Sequence, residues 1–373
     1  MRIAVNTRLL LPGKIEGLGR FAGESLKHIT RSHPEHEFIF IFDRKYSDEF
    51  LYSGNIIPVI ASPQARHPAL WYLFFEWGVP YVLKKYKADI FLSPDGWLSL
   101  RADLPSLAVI HDLNFFHEPS WVNPIPRAYY SYFFPRFIQK ADRIVTVSEF
   151  SKSDIESRFD IPSSKIDVVY NGVENKFHPV DDLTKQEVRV KYTGGSPYFL
   201  FLGLVHPRKN LTRIIQGYEW FRRSSDDAVR LLVAGSTKYW TEDTKKAYER
   251  SEFRNDIIFT GRLPELDLNR VIASSISLIY ASLFEGFGIP ILEAMQCGVP
   301  VITSNTTSMP EVGGDAACYV DPYSVQSIGK AMLRINSESA YRDELIIKGK
   351  GQCIKFSWEN TAKGLWSSLE KIM

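Results

Sequence analysis

The sequence predicts an α/β protein of two doubly wound parallel-sheet domains, and three observations predict it. Short apolar, β-branched runs recur in two series, and segments with helical spacing separate most of them. The third observation is the length: 373 residues exceed the size over which one hydrophobic core usually keeps growing. Such an alternation is how a parallel sheet covered by helices on both faces is written.

The first series comprises RIAVN (2–6), EFIFIF (37–42), DIFLS (89–93), SLAVIHD (106–112), RIVTVS (143–148) and IDVVYN (166–171). Between its first two members, Leu18, Phe21, Ala22, Leu26 and Ile29 fall on one helical face. The second series comprises PYFLFLG (197–203), RLLVAG (230–235), IIFTG (257–261), ISLIYAS (276–282), PVITS (300–304) and ACYV (317–320). The polar stretch 174–196, ENKFHPVDDLTKQEVRVKYTGGS, joins the two series, and with Pro179, Gly194 and Gly195 it is the expected linker. The expected domains are residues 1–180 and 181–357.

Composition narrows the function. With 45% hydrophobic and 24% charged residues the chain reads as globular, and a formal net charge of +2 is too mild for a nucleic-acid binder. Cys297, Cys318 and Cys353 are far apart and form no CxxC or Cys/His set, so neither a disulfide framework nor a structural zinc is expected and a reducing cytoplasm fits. The opening MRIAV reads as a strand without a secretory signal. No run of about 18 uncharged apolar residues suggests a spanning helix.

In open α/β sheets ligands sit beyond the carboxyl ends of the strands, so the residues that follow each strand carry the information. After ISLIYAS comes LFEGFGIPILEA, 283–294. Gly286 and Gly288 let backbone N–H groups approach a ligand, Pro290 suits the first helical position, and the helix N-terminus favours an anion. Glu285 in the loop and Glu293 in the first helical turn can face one crevice, where carboxylates accept hydrogen bonds from the hydroxyls of a sugar or ribose. Alternatively, Glu293 merely complements the helix dipole and Glu285 is solvated. After PYFLFLG, Arg208 and Lys209 precede Asn210, an expected N-cap; together they suit a diphosphate, although a solvated basic turn reads the same way.

In the first half, SLAVIHD ends on His111, either an active-site residue or a structural histidine paired to Asp112. Gly17 and Gly19 open a helix where their amides could meet a phosphate, or they are plain loop glycines. No D-x-D occurs, and the pairs Asp181/Asp182 and Asp226/Asp227 lie in polar segments. No catalytic metal is therefore expected, which leaves Arg208 and Lys209 to stabilise a leaving phosphate.

These residues resemble glycosyltransferase family 4, retaining enzymes of the GT-B type with two Rossmann-like domains facing across a cleft. The resemblance rests on E-x7-E from Glu285 to Glu293, the following AMQCGVPVITSN and MPEVGGDAACYVDP, and on GLGR, IHDL, ADRIVTVSEFSKSDI, VVYNGV, GLVHPRKNL and FSWENTA. It implies that Glu285 holds hydroxyls of the transferred sugar beside Gly286, Phe287, Gly288 and Ile289, that Glu293 binds the ribose, and that Arg208 and Lys209 hold the diphosphate. Gly17 and Gly19 would let an N-terminal loop close over it, and His111 would contact the sugar from the acceptor side. The closing helix, 358–373, is expected to pack back on the first domain. Many members carry an arginine after the glycine that ends the first strand of the second domain; Leu204 follows Gly203 here, which puts more weight on Arg208 and Lys209. No cofactor or metal is implied, and retention is expected by a front-face route.

The motifs are most similar to GDP-mannose-dependent mannosyltransferases of bacterial surface polysaccharide synthesis, with UDP-sugar donors as the alternative. The implied partners are a nucleotide-sugar donor and a glycan or lipid-linked saccharide acceptor. Residues 71–87 and 121–137 mix aromatic and basic side chains that suit a glycan, an anionic headgroup or the core, so a cytoplasmic enzyme touching the inner face of the membrane is the further expectation. Three other classes compete: a sugar-nucleotide epimerase or phosphorylase-like enzyme, a non-catalytic glycan-binding subunit, and an NAD-dependent oxidoreductase. The last rests on a loose G-x-G-x-x-A from Gly17 to Ala22 and on Asp43, but those glycines lie well beyond the first strand and leave the second half unexplained.

Overall fold

The structure, a computed structural model, describes residues 1–13 and 17–373. It divides into two compact units, one of residues 1–172 with 358–373 and one of residues 173–357.

Among the described residues, the first unit is built on seven parallel strands: β1 (Arg2–Asn6), β2 (Glu37–Phe42), β3 (Ile56–Ile60), β4 (Ile90–Ser93), β5 (Ser106–Ile110), β6 (Arg143–Thr146) and β7 (Ile166–Val168). Their order is β3-β2-β1-β4-β5-β6-β7. The second unit has six, β8 (Tyr198–Leu202), β9 (Arg230–Ala234), β10 (Ile257–Gly261), β11 (Ser277–Tyr280), β12 (Val301–Ser304) and β13 (Ala317–Val320), in the order β10-β9-β8-β11-β12-β13. Both sheets run outward in two directions from a central pair, β1 with β4 and β8 with β11. That pair is the switch point of a doubly wound sheet. Helices cover both faces, so central strands such as β4 and β5 are buried along their whole length and read as continuous apolar runs.

Three expectations need correction. The strand IIPVI, β3, stands within the first series but is not among the runs read from the sequence, and Pro58 sits in its middle. Proline cannot donate to a ladder, and β3 is the edge strand where that costs least. The expected linker contains a helix, Asp182–Thr193, whose N-cap Asp181 accepts from Thr184 N at 2.8 Å and which ends on Gly194 at φ +63. Leu183 and Val190 are exposed while Val188 is buried, so its apolar residues do not share one face and the helical period is blurred. The unit boundary falls between residues 172 and 173 rather than at 180, because Val173 N donates to Phe356 O and His178 N donates to Asn269 Oδ1, both in the second unit.

The closing helix, Trp358–Glu370, belongs to the first unit. Thr361 Oγ1 donates to Tyr170 O at 2.7 Å, and Lys371 Nζ lies 2.9 Å from Asp167 Oδ1. No helix among the described residues is long and apolar enough to cross a membrane.

Candidate active site

The residues after β8 and β11, the switch-point strands of the second unit, meet in one charged cluster. Glu285 Oε2 lies 2.5 Å from Arg208 Nη1, and Glu285 Oε1 lies 2.6 Å from Lys209 Nζ. Glu285 is 6% exposed and Lys209 8%, whereas Arg208 reaches further toward solvent. Burial pushes the Glu285 carboxyl up, but Arg208 and Lys209, by charge and by hydrogen bond, outweigh it and hold the group at about 2. Lys209 Nζ also donates to the Tyr280 hydroxyl at 2.6 Å and lies 4.3 Å from that ring's centre. Burial first, and then the Glu285 charge, push the Tyr280 phenol well above its ordinary value, so it stays protonated.

Backbone contacts fix this cluster. Leu283 N donates to Arg208 O at 2.7 Å, which ties the loop after β11 to the loop after β8. The Ser308 hydroxyl is 2.9 Å from the carbonyls of both Glu285 and Phe287 and clamps the turn between them. Ser282 Oγ and Thr306 Oγ1 are buried without a hydrogen-bond partner within the structure. Two cations beside buried carboxylates, with the unmatched Ser282 hydroxyl at the end of the same strand as Glu285, suit a ligand that carries both phosphates and hydroxyls.

The turn Gly286, Phe287 and Gly288 leads into the helix Ile289–Gln296, with Gly288 at the N-cap at φ +109. Pro290 is the second helical residue, not the first, and Glu293 sits in the second turn rather than the first, so it does not act as a first-turn dipole partner. Glu293 is 4% exposed, and Glu285, at 6%, is not the solvated loop acid weighed as its alternative. Asn210 occupies the N-cap position of the helix Leu211–Arg223, but its backbone is left-handed at φ 61 and its side chain makes no cap bond. Instead Asn210 Nδ2 donates to Ala281 O at 3.0 Å and Pro322 O at 2.7 Å, pinning the loop that carries Arg208 and Lys209 to the end of β11.

In the first unit, His111 follows β5 as expected. Its Nε2 pairs with Pro94 O at 2.8 Å and its ring stands edge-on to Phe21, with 4.9 Å between centres. The pairing with Asp112 weighed from sequence is not what holds it; Asp112 Oδ1 accepts from Asn114 N and Nδ2. Burial pushes the imidazole down to about 4, against the opposing effects of the Pro94 carbonyl and the Asp95 charge, so it is neutral at pH 7. Gly17 begins the helix Gly17–Ser32 and Gly19 is buried in its first turn; Glu16, which precedes them in the motif, lies outside the described residues.

The sequence reading missed a second switch-point cluster, at the ends of β1 and β4. Asp95 Oδ1 accepts from Asn6 Nδ2 at 2.7 Å, and Asp95 Oδ2 accepts from Arg8 Nε at 2.7 Å. The Arg8 guanidinium lies 4.4 Å from the centre of the Trp97 ring. Asn6, Arg8 and Asp95 all lie at or just beyond strand ends, and Gly96, at φ +80 directly after Asp95, is the one sequence signal that could have found them.

Comparison with known proteins gives the family. Residues 15–177 match the family model described as Glycosyltransferase Family 4, and residues 184–352 match Glycosyl transferases group 1. The chain is 29% identical to O-antigen chain mannosyltransferase B of Escherichia coli across 93% of each chain. It is 26% identical to O-antigen chain mannosyltransferase RfbU of Salmonella typhimurium across 78% of each. The crystal structure of Anabaena Alr3699/HepE in complex with UDP and glucose superposes with a TM-score of 0.77 at 14% identity, covering 100% of both chains. The fold is thus GT-B, and the protein is a glycosyltransferase. It belongs to glycosyltransferase family 4, whose two models between them take in nearly the whole chain.

Proposed function

We propose that the chain transfers mannose from GDP-mannose onto a glycan or lipid-linked saccharide of bacterial surface polysaccharide synthesis, with retention and without a metal. The observation that carries the donor half is the Arg208–Glu285–Lys209 cluster at the β8/β11 switch point. Mannose and the polysaccharide context are supported by the similarity to the two O-antigen chain mannosyltransferases. A cytoplasmic chain touching the inner face of the membrane fits a lipid-linked acceptor.

In this scheme Arg208 and Lys209 turn from Glu285 toward the diphosphate as the donor enters, and the carboxylate they release accepts hydrogen bonds from sugar hydroxyls. Glu293 takes the ribose, and the amides of Phe287, Gly288 and Ile289 line the turn beside it. The bond from the sugar C1 to the phosphate oxygen breaks while the bond to the acceptor oxygen forms on the same face. The acceptor's proton passes to the departing phosphate, and Arg208 and Lys209 stabilise the charge that develops there. Neutral His111, whose Nε2 proton goes to Pro94 O, keeps Nδ1 as a hydrogen-bond acceptor and carries no charge.

Isothermal titration with GDP, UDP, ADP and NAD in metal-free buffer tests the donor, followed by product NMR for the anomeric configuration. GDP binding and an α-linked product from GDP-α-mannose are expected. Binding of NAD alone, or an inverted product, overturns the proposal. Flotation with anionic vesicles tests the membrane contact, which fails if the chain stays at the bottom of the gradient.

A further inference from the structure

Away from the strand ends that carry Arg8 and His111, the first unit has a groove of about 630 Å³ beside its edge strand β3. Five consecutive residues, Pro58 to Ser62, form one wall, about 13 Å long at the rise of a strand. Tyr46, Trp77, Tyr81, Lys85 and Tyr86 face it. Trp77 is 55% exposed and Tyr81 65%, unusual for side chains of this size.

The exposed rings are held in place. Trp77 lies in a π-helical turn, Phe74–Gly78, a local geometry often found at functional sites. Its neighbour Glu76 is buried and accepts from the backbone N–H groups of Leu100 at 2.9 Å and Arg101 at 3.1 Å. That fixes Arg101, whose guanidinium sits 4.0 Å from the centre of the Trp77 ring and supports the indole on one side. The turn approaches the end of β3 so closely that a Cβ at Gly78 would come within 2.5 Å of Ser62 O. Groove width therefore depends on a glycine there.

We propose that this groove binds an extended saccharide chain and serves as a remote subsite for the growing acceptor. Aromatic faces pack on the C–H faces of sugar rings, while the Lys85 ammonium and the tyrosine hydroxyls donate to sugar hydroxyls. Strand addition by a peptide is the competing use of an edge strand, and Pro58 opposes it. Asn55 O and Ala61 N both pair with β2, so by alternation residues 56, 58 and 60 face the open edge. The middle one is a proline with no N–H to offer. A bilayer would meet a convex or flat surface, whereas these rings line a concavity.

The inference rests on the proposed glycan acceptor, and the experiment separates the two. The full chain is titrated with α-linked manno-oligosaccharides of one, three and six residues, followed by tryptophan fluorescence and calorimetry, with GDP titrated in parallel. Affinity is expected to rise with saccharide length. Trp77→Ala and Tyr81→Ala are each expected to weaken the hexasaccharide by about three- to tenfold while leaving GDP unchanged, and Trp77→Phe to restore most of it. Affinity independent of length, or a hexasaccharide bound as tightly by Trp77→Ala as by the unaltered chain, overturns the groove. Loss in Trp77→Ala of flotation with phosphatidylglycerol vesicles, with the hexasaccharide unaffected, also overturns it and assigns the surface to lipid. Length-dependent binding to a chain that binds no GDP keeps the groove and removes the proposed donor.

Discussion

Replacing Lys209 with methionine keeps most of the volume of the buried stem and removes the charge, so it isolates what that charge does. In the unliganded protein Lys209 and Arg208 together hold Glu285 at about 2, below an ordinary carboxyl. A depression of that size corresponds to roughly 3 kcal/mol of folded-state stability. Because the folded value is lowered, the contribution is fully present above the unfolded carboxyl's value and is lost as pH falls toward 2. Arg208 remains 2.5 Å from Glu285, so Lys209→Met should forfeit about half, roughly 1.5 kcal/mol. For a unit of this size that is a fall in Tm of about 3–6 °C at pH 7. The acid limb of the stability curve should begin at higher pH, since Glu285 then titrates nearer its ordinary value. On the proposed chemistry, turnover should fall about 100-fold, or about 2.7 kcal/mol of transition-state stabilisation. Calorimetry across pH and a release assay for the nucleoside diphosphate read the two effects separately. A variant with turnover within threefold of the unaltered chain would remove Lys209 from the reaction; an unchanged Tm would refute the buried-pair argument.

Gly235→Ala should destabilise the second unit by more than about 3 kcal/mol, because a Cβ at φ +150 would stand 1.8 Å from Gly203 O; urea unfolding of that unit measures it. His111 should show no titration above about pH 5 by NMR, since its imidazole is pushed down to about 4, and stability should decline as pH falls from 6.5 toward that value. An imidazole that titrates near 6.5 contradicts the burial of the ring against Phe21. Cys297, Cys318 and Cys353 are all buried, and burial raises each thiol, Cys353 to about 12; the native chain should resist a thiol-reactive dye and react fully once denatured. Fast labelling of a thiol in the native chain would contradict their packing.

Periodicity marked every strand of the ladder except β3 and, with the length, the two-unit organisation, because a strand covered on both faces must be written as a continuous apolar run. The run ACYV is β13 and EFIFIF is β2, residue for residue. The rule that ligands meet strand carboxyl ends singled out Arg208, Lys209 and Glu285 before any geometry was known. Where a local signal was cancelled by position, only tertiary structure decided. Pro58 lies in a strand because that strand is an edge, and Asn210 is left-handed because its side chain is needed at Ala281 and Pro322, from β11 and beyond. Residues 77 apart in sequence, Arg208 and Glu285, pair at 2.5 Å because sheet order places β8 next to β11. The Asn6–Arg8–Asp95 cluster and the groove along β3 belong to the same class. Each joins residues whose spacing carries no period, and their proximity follows from which strands are neighbours, which the order of residues along the chain does not contain.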